Sequence, residues 1–291
     1  MHFAIATPVF NGLPALKQCV GSVRGQQPGV AYTHLIQDGG STDGSRAWLE
    51  QTDDLAVEMK KDNGMYDAIN QAWDRGHGDV YSWLNSDEQY LPGTLACVRD
   101  YFHAHPDVDL VFGNAIIVDP AGNPLAARRE IPLRAWLVKN TFLYALSCTT
   151  FFRGRLKEQG RLRLDTTYRV AGDTELILRL LDEGAVCHHI PRYLSLFGVD
   201  GRNLSLSEGM ARECAVIQRN HGAYRNPWAR KLVHAARTAE RLVTGCYRSD
   251  TITYDYAVDD QPTYRQFANV PVGFRFTYAN AIKKMNLNVP S

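Results

Sequence analysis

No stretch of the 291-residue chain approaches the roughly 18 uncharged apolar residues of a membrane span. No basic leader precedes an apolar run: Met1-His2-Phe3-Ala4-Ile5-Ala6-Thr7-Pro8 reads directly into a strand, so no signal peptide is expected. The six cysteines (Cys19, Cys97, Cys148, Cys187, Cys214 and Cys246) show neither a CxxC pair nor a Cys/His pair at zinc spacing. That argues against a disulfide scaffold or a zinc module and fits reduced thiols in a cytoplasmic protein. Net charge is also nearly missing: 32 Lys and Arg face 31 Asp and Glu, which argues against a nucleic-acid binder. Repeats and low-complexity tracts are absent. So are GxxxxGK[ST] and GxGxxG, the defining elements of a P-loop NTPase and a Rossmann dehydrogenase. A chain of this length buries enough surface to fold without staples, as one large domain or two small ones.

What is present is strongly organised. Charge balance is only global: residues 37–109 hold 15 acids against 5 bases, and residues 219–248 hold 7 bases against 1 acid. Short apolar runs at Phe3–Ala6, Tyr32–Ile36, Ala56–Met59, Val80–Leu84 and Leu110–Phe112 read as strands. Between them, Leu13–Val23 and a stretch from Pro92 to His103 read as helices, and Met65, Ile69 and Trp73 mark one face of another, capped near Asp62-Asn63. Ser41-Thr42-Asp43 offers N-cap candidates for a helix carrying Trp48 and Leu49. Strands alternating with helices predict βαβ units, hence an α/β fold with a mostly parallel sheet flanked by helices on both faces.

Beyond Asn114 the pattern changes. Asp119–Pro124 predicts a hairpin turn, Leu146–Phe152 a buried strand and Asp173–Leu181 a helix. Asn226-Pro227 starts a further helix, with Trp228, Leu232, Ala235, Ala239 and Leu242 along its apolar face and Arg230, Lys231, Arg237 and Arg241 elsewhere. The last stretch is aromatic and interrupted by prolines (Tyr254, Tyr256, Tyr264, Phe267, Phe274, Phe276, Tyr278), and its pattern assigns no element.

In an open α/β sheet, ligands bind at the carboxyl ends of the strands. Three polar clusters stand at such ends: Thr7-Pro8, Asp38-Gly39-Gly40-Ser41-Thr42-Asp43 and Asn85-Ser86-Asp87-Glu88. Lacking a phosphate-cradling loop, such a site can hold an anionic ligand through a hard divalent cation on carboxylate oxygen, with Asp87 beside Glu88 the natural candidate.

Here the residues reach a resemblance. Ala4-Ile5-Ala6-Thr7-Pro8-Val9-Phe10-Asn11 and Gln37-Asp38-Gly39-Gly40-Ser41-Thr42-Asp43-Gly44-Ser45 resemble the opening of family 2 glycosyltransferases. The block Asp62-Asn63-Gly64-Met65-Tyr66-Asp67-Ala68-Ile69-Asn70, through Gly78-Asp79 to Leu84-Asn85-Ser86-Asp87-Glu88, is similar to that family in order and spacing. Ala171-Gly172-Asp173-Thr174-Glu175 is similar to its late acidic motif. The likeness covers roughly residues 3–200 and is nearest to the subgroup acting in bacterial exopolysaccharide and O-antigen assembly.

The resemblance implies a GT-A fold and inverting transfer of a sugar, UDP-linked by preference, to a glycan or lipid-linked glycan acceptor. It implies a catalytic domain over residues 1–205, with a nucleotide half of about 1–113 and an acceptor half of about 114–205, and an extension over 206–291. By position, Asp38 would hydrogen-bond the base with the Thr7-Pro8 backbone lining its pocket. Asn85 would reach the ribose, Asn63 and Ser86 would complete the donor contacts, and Asp87 would hold Mg²⁺ or Mn²⁺. The usual Asp-x-Asp starts here with Asn85, Glu88 replaces a common second Asp, and the usual Glu-Asp of the late motif is Gly172-Asp173. Asp173 then aligns with the catalytic base, with Glu175 in reserve. A carboxylate that deprotonates an acceptor hydroxyl, opposite a departing nucleoside diphosphate, is the chemistry those residue types suit.

Other residues leave alternatives open. Phe197–Ser205 stands where a loop often closes over the donor in this family, so Arg202 is a candidate diphosphate contact, or the segment is a surface turn. His188-His189 lacks partners at metal spacing and reads as structural. The basic helix suits either packing on the core or peripheral contact with an anionic membrane at the inner face. The tail from Asp250 is left between acceptor cover and a homodimer contact. A nucleotide-sugar-binding subunit without activity and a sugar nucleotidyltransferase are the competing functions; the second should carry a basic, Gly-rich loop near the first strand, where Thr7–Lys17 has one base.

Overall fold

The computed structural model describes residues 1–200 and 208–273. Its first 83 residues alternate as expected: β1 (His2–Val9), α1 (Leu13–Arg24), β2 (Ala31–Asp38), α2 (Ser45–Leu49), β3 (Ala56–Met59), α3 (Met65–Arg75) and β4 (Val80–Trp83). Then come β5 (Glu88–Tyr90), α4 (Thr94–Ala104), β6 (Leu110–Val118), β7 (Pro124–Arg128), α5 (Ala135–Asn140), β8 (Thr150–Arg153), α6 (Arg155–Glu158), α7 (Gly172–Asp182) and β9 (Cys187–Gly198). Helices α8 (Glu208–Asn220) and α9 (Pro227–Val243) and strands β10 (Asp250–Ala257) and β11 (Tyr264–Val272) complete the described chain.

The main sheet has the order β3-β2-β1-β4-β8-β6-β9-β5, with β7 paired to β6. β3, β2, β1 and β4 run parallel; β8 is antiparallel to both β4 and β6, β9 is parallel to β6, and β5 is antiparallel to β9. All nine residues of β6 are buried, as befits an apolar strand covered on both faces. On one face Ile69, Ala72 and Trp73 of α3 pack on the sheet, where the Trp73 ring meets Trp83 edge-on at 5.5 Å and Phe152 at 6.1 Å. On the other, Cys19 and Val23 of α1 join Leu95, Val98 and Phe102 of α4 around Phe3, Ile5 and Phe151.

Three local expectations differ. The residue preceding α2 is Gly44, at φ 99°, rather than one of Ser41–Asp43; Asp43 instead accepts the Ser45 amide at 3.0 Å and the Leu13 amide at 2.9 Å, joining the β2 loop to α1. Leu146–Phe152 does not run as one strand: a 3₁₀ turn at Ser147–Thr149 precedes β8, with the Thr149 and Thr150 hydroxyls both donating to the Leu146 carbonyl at 2.9 Å. The aromatic tail begins as the β10–β11 hairpin, whose Ile252, Tyr254 and Tyr256 pack on Ile116, Val118, Ala127 and Leu196.

Candidate active site

The carboxyl ends of β1, β2 and β4 lie side by side, because Val9 pairs with Asp38 and the Leu84 amide donates to the Ala6 carbonyl at 2.9 Å. Their loops interlock. The Asn11 amide donates to Ser41 Oγ at 2.9 Å, and the Thr42 amide to Asn11 Oδ1 at 2.8 Å. Asp38 is buried, with Gly40 and Ser41 amides donating to its carboxylate at 3.2 Å; two oxygens with four lone-pair sites leave capacity for a ligand. Thr7 is turned inward, its Oγ1 2.9 Å from His34 Nε2, so only its backbone can line a pocket, and Pro8 follows in the same strand. Burial lowers the pKa of His34 to about 3, so the ring is neutral.

In the loop after β4, Asp87 is exposed while Glu88 is buried. Glu88 accepts the Asn85 amide at 2.8 Å and Ser147 Oγ at 3.5 Å. Burial, then the neighbouring Asp87 charge, push its pKa up. Glu88 thus holds the loop from inside, and Asp87 is the carboxylate left facing outward. Asn85 Oδ1 is buried without a hydrogen-bond partner among the described residues, with Ser86 beside it half-buried. Also among the described residues, no three His, Cys, Asp or Glu side chains gather as a ready-made metal centre. One outward carboxylate beside an orphaned amide oxygen fits a hard cation that takes its remaining ligands from phosphate and water.

A third segment joins these loops to α7. Asp62 lies against the β2 loop, since a Cβ on Gly39 would fall 2.5 Å from Asp62 Oδ2. Burial raises the Asp62 pKa. Asp62 also accepts the Gly64 amide at 2.8 Å, and Asp67 accepts the Asn63 amide at 2.9 Å. Two residues further, Tyr66 Oη donates to Asp173 Oδ1 at 3.5 Å. Asp173 stands in the first turn of α7, partly buried, and its Oδ1 also accepts the Thr174 amide at 2.7 Å. Burial raises its pKa to about 6 against these hydrogen bonds. Gly172 makes room for the arrangement, because a Cβ there would sit 2.7 Å from Tyr66 Cε2. The family's usual acid does not fit beside this tyrosine. Glu175 is engaged by Arg179 Nε at 2.8 Å, which leaves Asp173 as the more available carboxylate.

Three contributors lie outside the predicted set. Tyr66 sits within a block already singled out, but nothing in the sequence pairs it with Asp173. Glu213 of α8 accepts the amides of Arg169, Val170 and Ala171 at 2.8, 2.9 and 2.9 Å and so fixes the chain entering α7. Arg169 donates to the Asn63 carbonyl and, with Asn63, Gly64, Tyr66, Thr166 and Tyr168, lines a small cleft beside Asp173. His188 and His189 are held by Tyr101 and Asn114 at 3.1 and 3.0 Å, as structural residues. Arg202 lies outside the described residues.

Comparison with known proteins bears on the family and the fold. The family model described as glycosyl transferase family 2 matches residues 4–168. A PGL/p-HBAD biosynthesis glycosyltransferase of Mycobacterium bovis is 30% identical over 128 residues, 40% of this chain and 47% of that protein. An uncharacterized glycosyltransferase of Rickettsia conorii is 26% identical over 125 residues, 42% of this chain and 21% of that protein. The chain thus spans less than half the length of these curated relatives. Among solved structures, S. aureus TarS 1-349 in complex with UDP-GlcNAc superposes with a TM-score of 0.61 at 14% identity, covering 92% of this chain and 100% of that one. The mannosyltransferase PcManGT from Pyrobaculum calidifontis, in complex with GDP-Man and Mn²⁺, gives 0.53 at 19% identity over 84% of this chain and 75% of that one. With a GT-A fold and a family match across more than half its length, the chain belongs to glycosyl transferase family 2.

Proposed function

We propose that this glycosyltransferase inverts: it moves a sugar from a nucleoside-diphosphate donor, UDP-linked by preference, to a glycan or lipid-linked glycan acceptor in bacterial surface polysaccharide synthesis. The observation that carries the reading is Asp173, a partly buried carboxylate with a pKa raised to about 6, held by Tyr66, whose side chain also lines a small cleft. A base near neutrality is both ionised and proton-accepting at working pH. Its task is to take the proton from the acceptor hydroxyl as that oxygen attacks the anomeric carbon opposite the leaving diphosphate. Asp38 and the Thr7-Pro8 backbone take the base, Asn85 the ribose, and Asn63 and Ser86 the rest of the donor. Arg202 is assigned to the diphosphate by position in the sequence alone.

Asp87, with Asn85 beside it, is the group to hold Mg²⁺ or Mn²⁺. Such an ion, when bound, supplies positive charge to the departing diphosphate. The UDP and UDP-GlcNAc complexes of TarS and the Mn²⁺ complex of PcManGT support a nucleotide-sugar donor and a metal. Residues 1–205 form the catalytic unit in this reading and residues 206–291 the extension that meets acceptor, membrane or a second copy. A lipid-linked acceptor places the enzyme at the cytoplasmic face of the plasma membrane.

The test is Asp173→Asn. It keeps shape and hydrogen bonds but removes the base, so turnover should fall by about 10²–10⁴-fold while donor binding stays. Turnover near that of the unaltered protein overturns the assignment. Products separate the competing functions: a glycosylated acceptor supports transfer, pyrophosphate a nucleotidyltransferase, and no product with intact donor binding a non-catalytic subunit.

A further inference from the structure

Helix α9 is amphipathic in the opposite sense to a helix packed on a core. Its inward side is polar. Arg237, 5% exposed, donates to Glu130 Oε2 at 3.1 Å and lies 4.4 and 4.6 Å from the rings of Phe142 and Tyr144. Arg241 approaches the same carboxylate at 3.6 Å, and Glu240 receives both arms of Arg134 at 2.6 and 2.7 Å. Val233 is the one large aliphatic residue of the helix that is buried. The apolar face that the sequence marks out points away from the protein: Trp228, Leu232, Leu242 and Val243 are 71, 72, 62 and 86% exposed. At 3.6 residues per turn they fall, with the intervening exposed alanines, within an arc of roughly 120°.

Of the ten large hydrophobic residues exposed among the described residues, eight lie on or beside α5, α8 and α9, Val216 and Tyr224 among them. The four on one face of α9 mark an interaction surface, whereas single exposed apolar residues do not. Positive charge accompanies it. With Arg237 and Arg241 directed at Glu130, the exposed bases of residues 219–248 are Arg219, Arg225, Lys231 and Arg248, and Lys231 Nζ stands 4.6 Å over the Trp228 ring. A symmetric second copy docked here would bring two sets of these four exposed bases together, which repulsion disfavours. An anionic lipid surface satisfies both features: leucine, valine and tryptophan enter the interface while the bases reach headgroup phosphates.

We propose that the outward face of α9 seats this protein on an anionic lipid surface. This face holds no residue of the candidate active site, and its contact with lipid is independent of transfer there. The test is co-sedimentation of the full chain with phosphatidylcholine vesicles containing phosphatidylglycerol, against phosphatidylcholine alone. Binding should be about tenfold or more tighter to the anionic vesicles and weaken with salt. Trp228→Ser with Leu232→Ser should reduce binding to the anionic vesicles about tenfold or more, without change in the unfolding midpoint. Arg225→Gln with Lys231→Gln should remove much of the preference for anionic lipid. UDP binding of every variant, measured alongside, separates failure of this face from failure of the donor site. Absence of vesicle binding overturns the proposal, as does binding that the serine pair leaves unchanged. Self-association abolished by the serine pair, without lipid binding, would make the face a subunit contact and overturn it equally.

Discussion

Tyr66 Oη stands 3.5 Å from Asp173 Oδ1, and that contact joins a motif near residue 65 to one more than a hundred residues later. It bears on pH dependence. Asp173 acts as a base only when ionised, and its pKa is raised to about 6. Turnover should therefore fall as pH drops through 6, by about tenfold between pH 7 and pH 5, for the fraction ionised follows the titration of one group. Tyr66→Phe removes a donor that favours the charged form, so the acid limb should move to higher pH, by up to about one pH unit for a bond worth ~1 kcal/mol. The measurement is kcat against pH at saturating acceptor. A limb that Tyr66→Phe moves downward, or leaves in place, would contradict the pairing.

Gly172 tests the same contact sterically. Alanine there places a Cβ 2.7 Å from Tyr66 Cε2, inside contact distance, in a helix start that is otherwise buried. Overpacking of that kind typically costs about 1–3 kcal/mol. Gly172→Ala should lower the unfolding midpoint and, by displacing Tyr66 from Asp173, reduce kcat more than KM rises. Glu at this position should be worse on both counts, although it restores the family's usual acid pair. Thermal unfolding with steady-state kinetics on the two variants checks this. A Gly172→Glu protein as stable and active as the parent would contradict the steric account.

Sequence alone carries the parallel half of the sheet well, and for a physical reason. Strands such as β1 and β6 are buried on both faces, so they appear as short apolar runs closed by Asp, Asn and Gly at their carboxyl ends. The loop residues Asp38 and Asp87 follow from that position. What pattern does not reveal is which long-range partner completes a local group. Glu88 and Asp87 are adjacent acids in sequence, yet one is buried as a loop anchor and the other is exposed, a distinction set by Ser147 and the neighbouring strands. The aromatic, proline-interrupted tail assigns no element in sequence, yet Ile252, Tyr254 and Tyr256 line the packed face of β10, because their partners on β6, β7 and β9 are distant in the chain. Helix α9 shows a different limit: periodicity marks its apolar face but leaves open whether that face packs on the core or points outward, and Trp228 and Leu232 are exposed.

Glu213 is the clearest of the partners that pattern cannot supply. One carboxylate takes three consecutive amides, from Arg169 to Ala171, that would otherwise stand unpaired at the entry to α7. Glu213→Ala leaves them without that acceptor and should cost about 1–3 kcal/mol. Glu213→Gln keeps one acceptor oxygen and should lose less. Because the same amides fix the approach to Asp173, kcat should fall in the order of lost stability, with donor affinity little changed. Comparing the two variants by thermal unfolding and by kcat checks the order, and equal behaviour of Gln and Ala would contradict it.

Asp87 and Glu88 make opposite predictions from neighbouring positions. Stabilisation by a nucleotide that binds only the folded chain amounts to about 2.7 kcal/mol at a hundred times its dissociation constant, a readily visible shift in unfolding midpoint. Across UDP, GDP, dTDP and ADP, each with and without Mn²⁺, one nucleotide should stabilise the protein, and more so with the ion. Asp87→Ala should abolish the ion-dependent part while leaving the apo midpoint nearly unchanged, since its side chain is exposed. Glu88→Ala should do the reverse in the apo protein, lowering the midpoint because the Asn85 amide loses its acceptor and a buried side chain is truncated. Its effect on nucleotide binding would then follow from a loosened loop and appear with and without Mn²⁺ alike. If the ion-dependent shift survives in Asp87→Ala, the ion is held elsewhere, and the assignment of Asp87 as its carboxylate fails while that of Asp173 as the base remains.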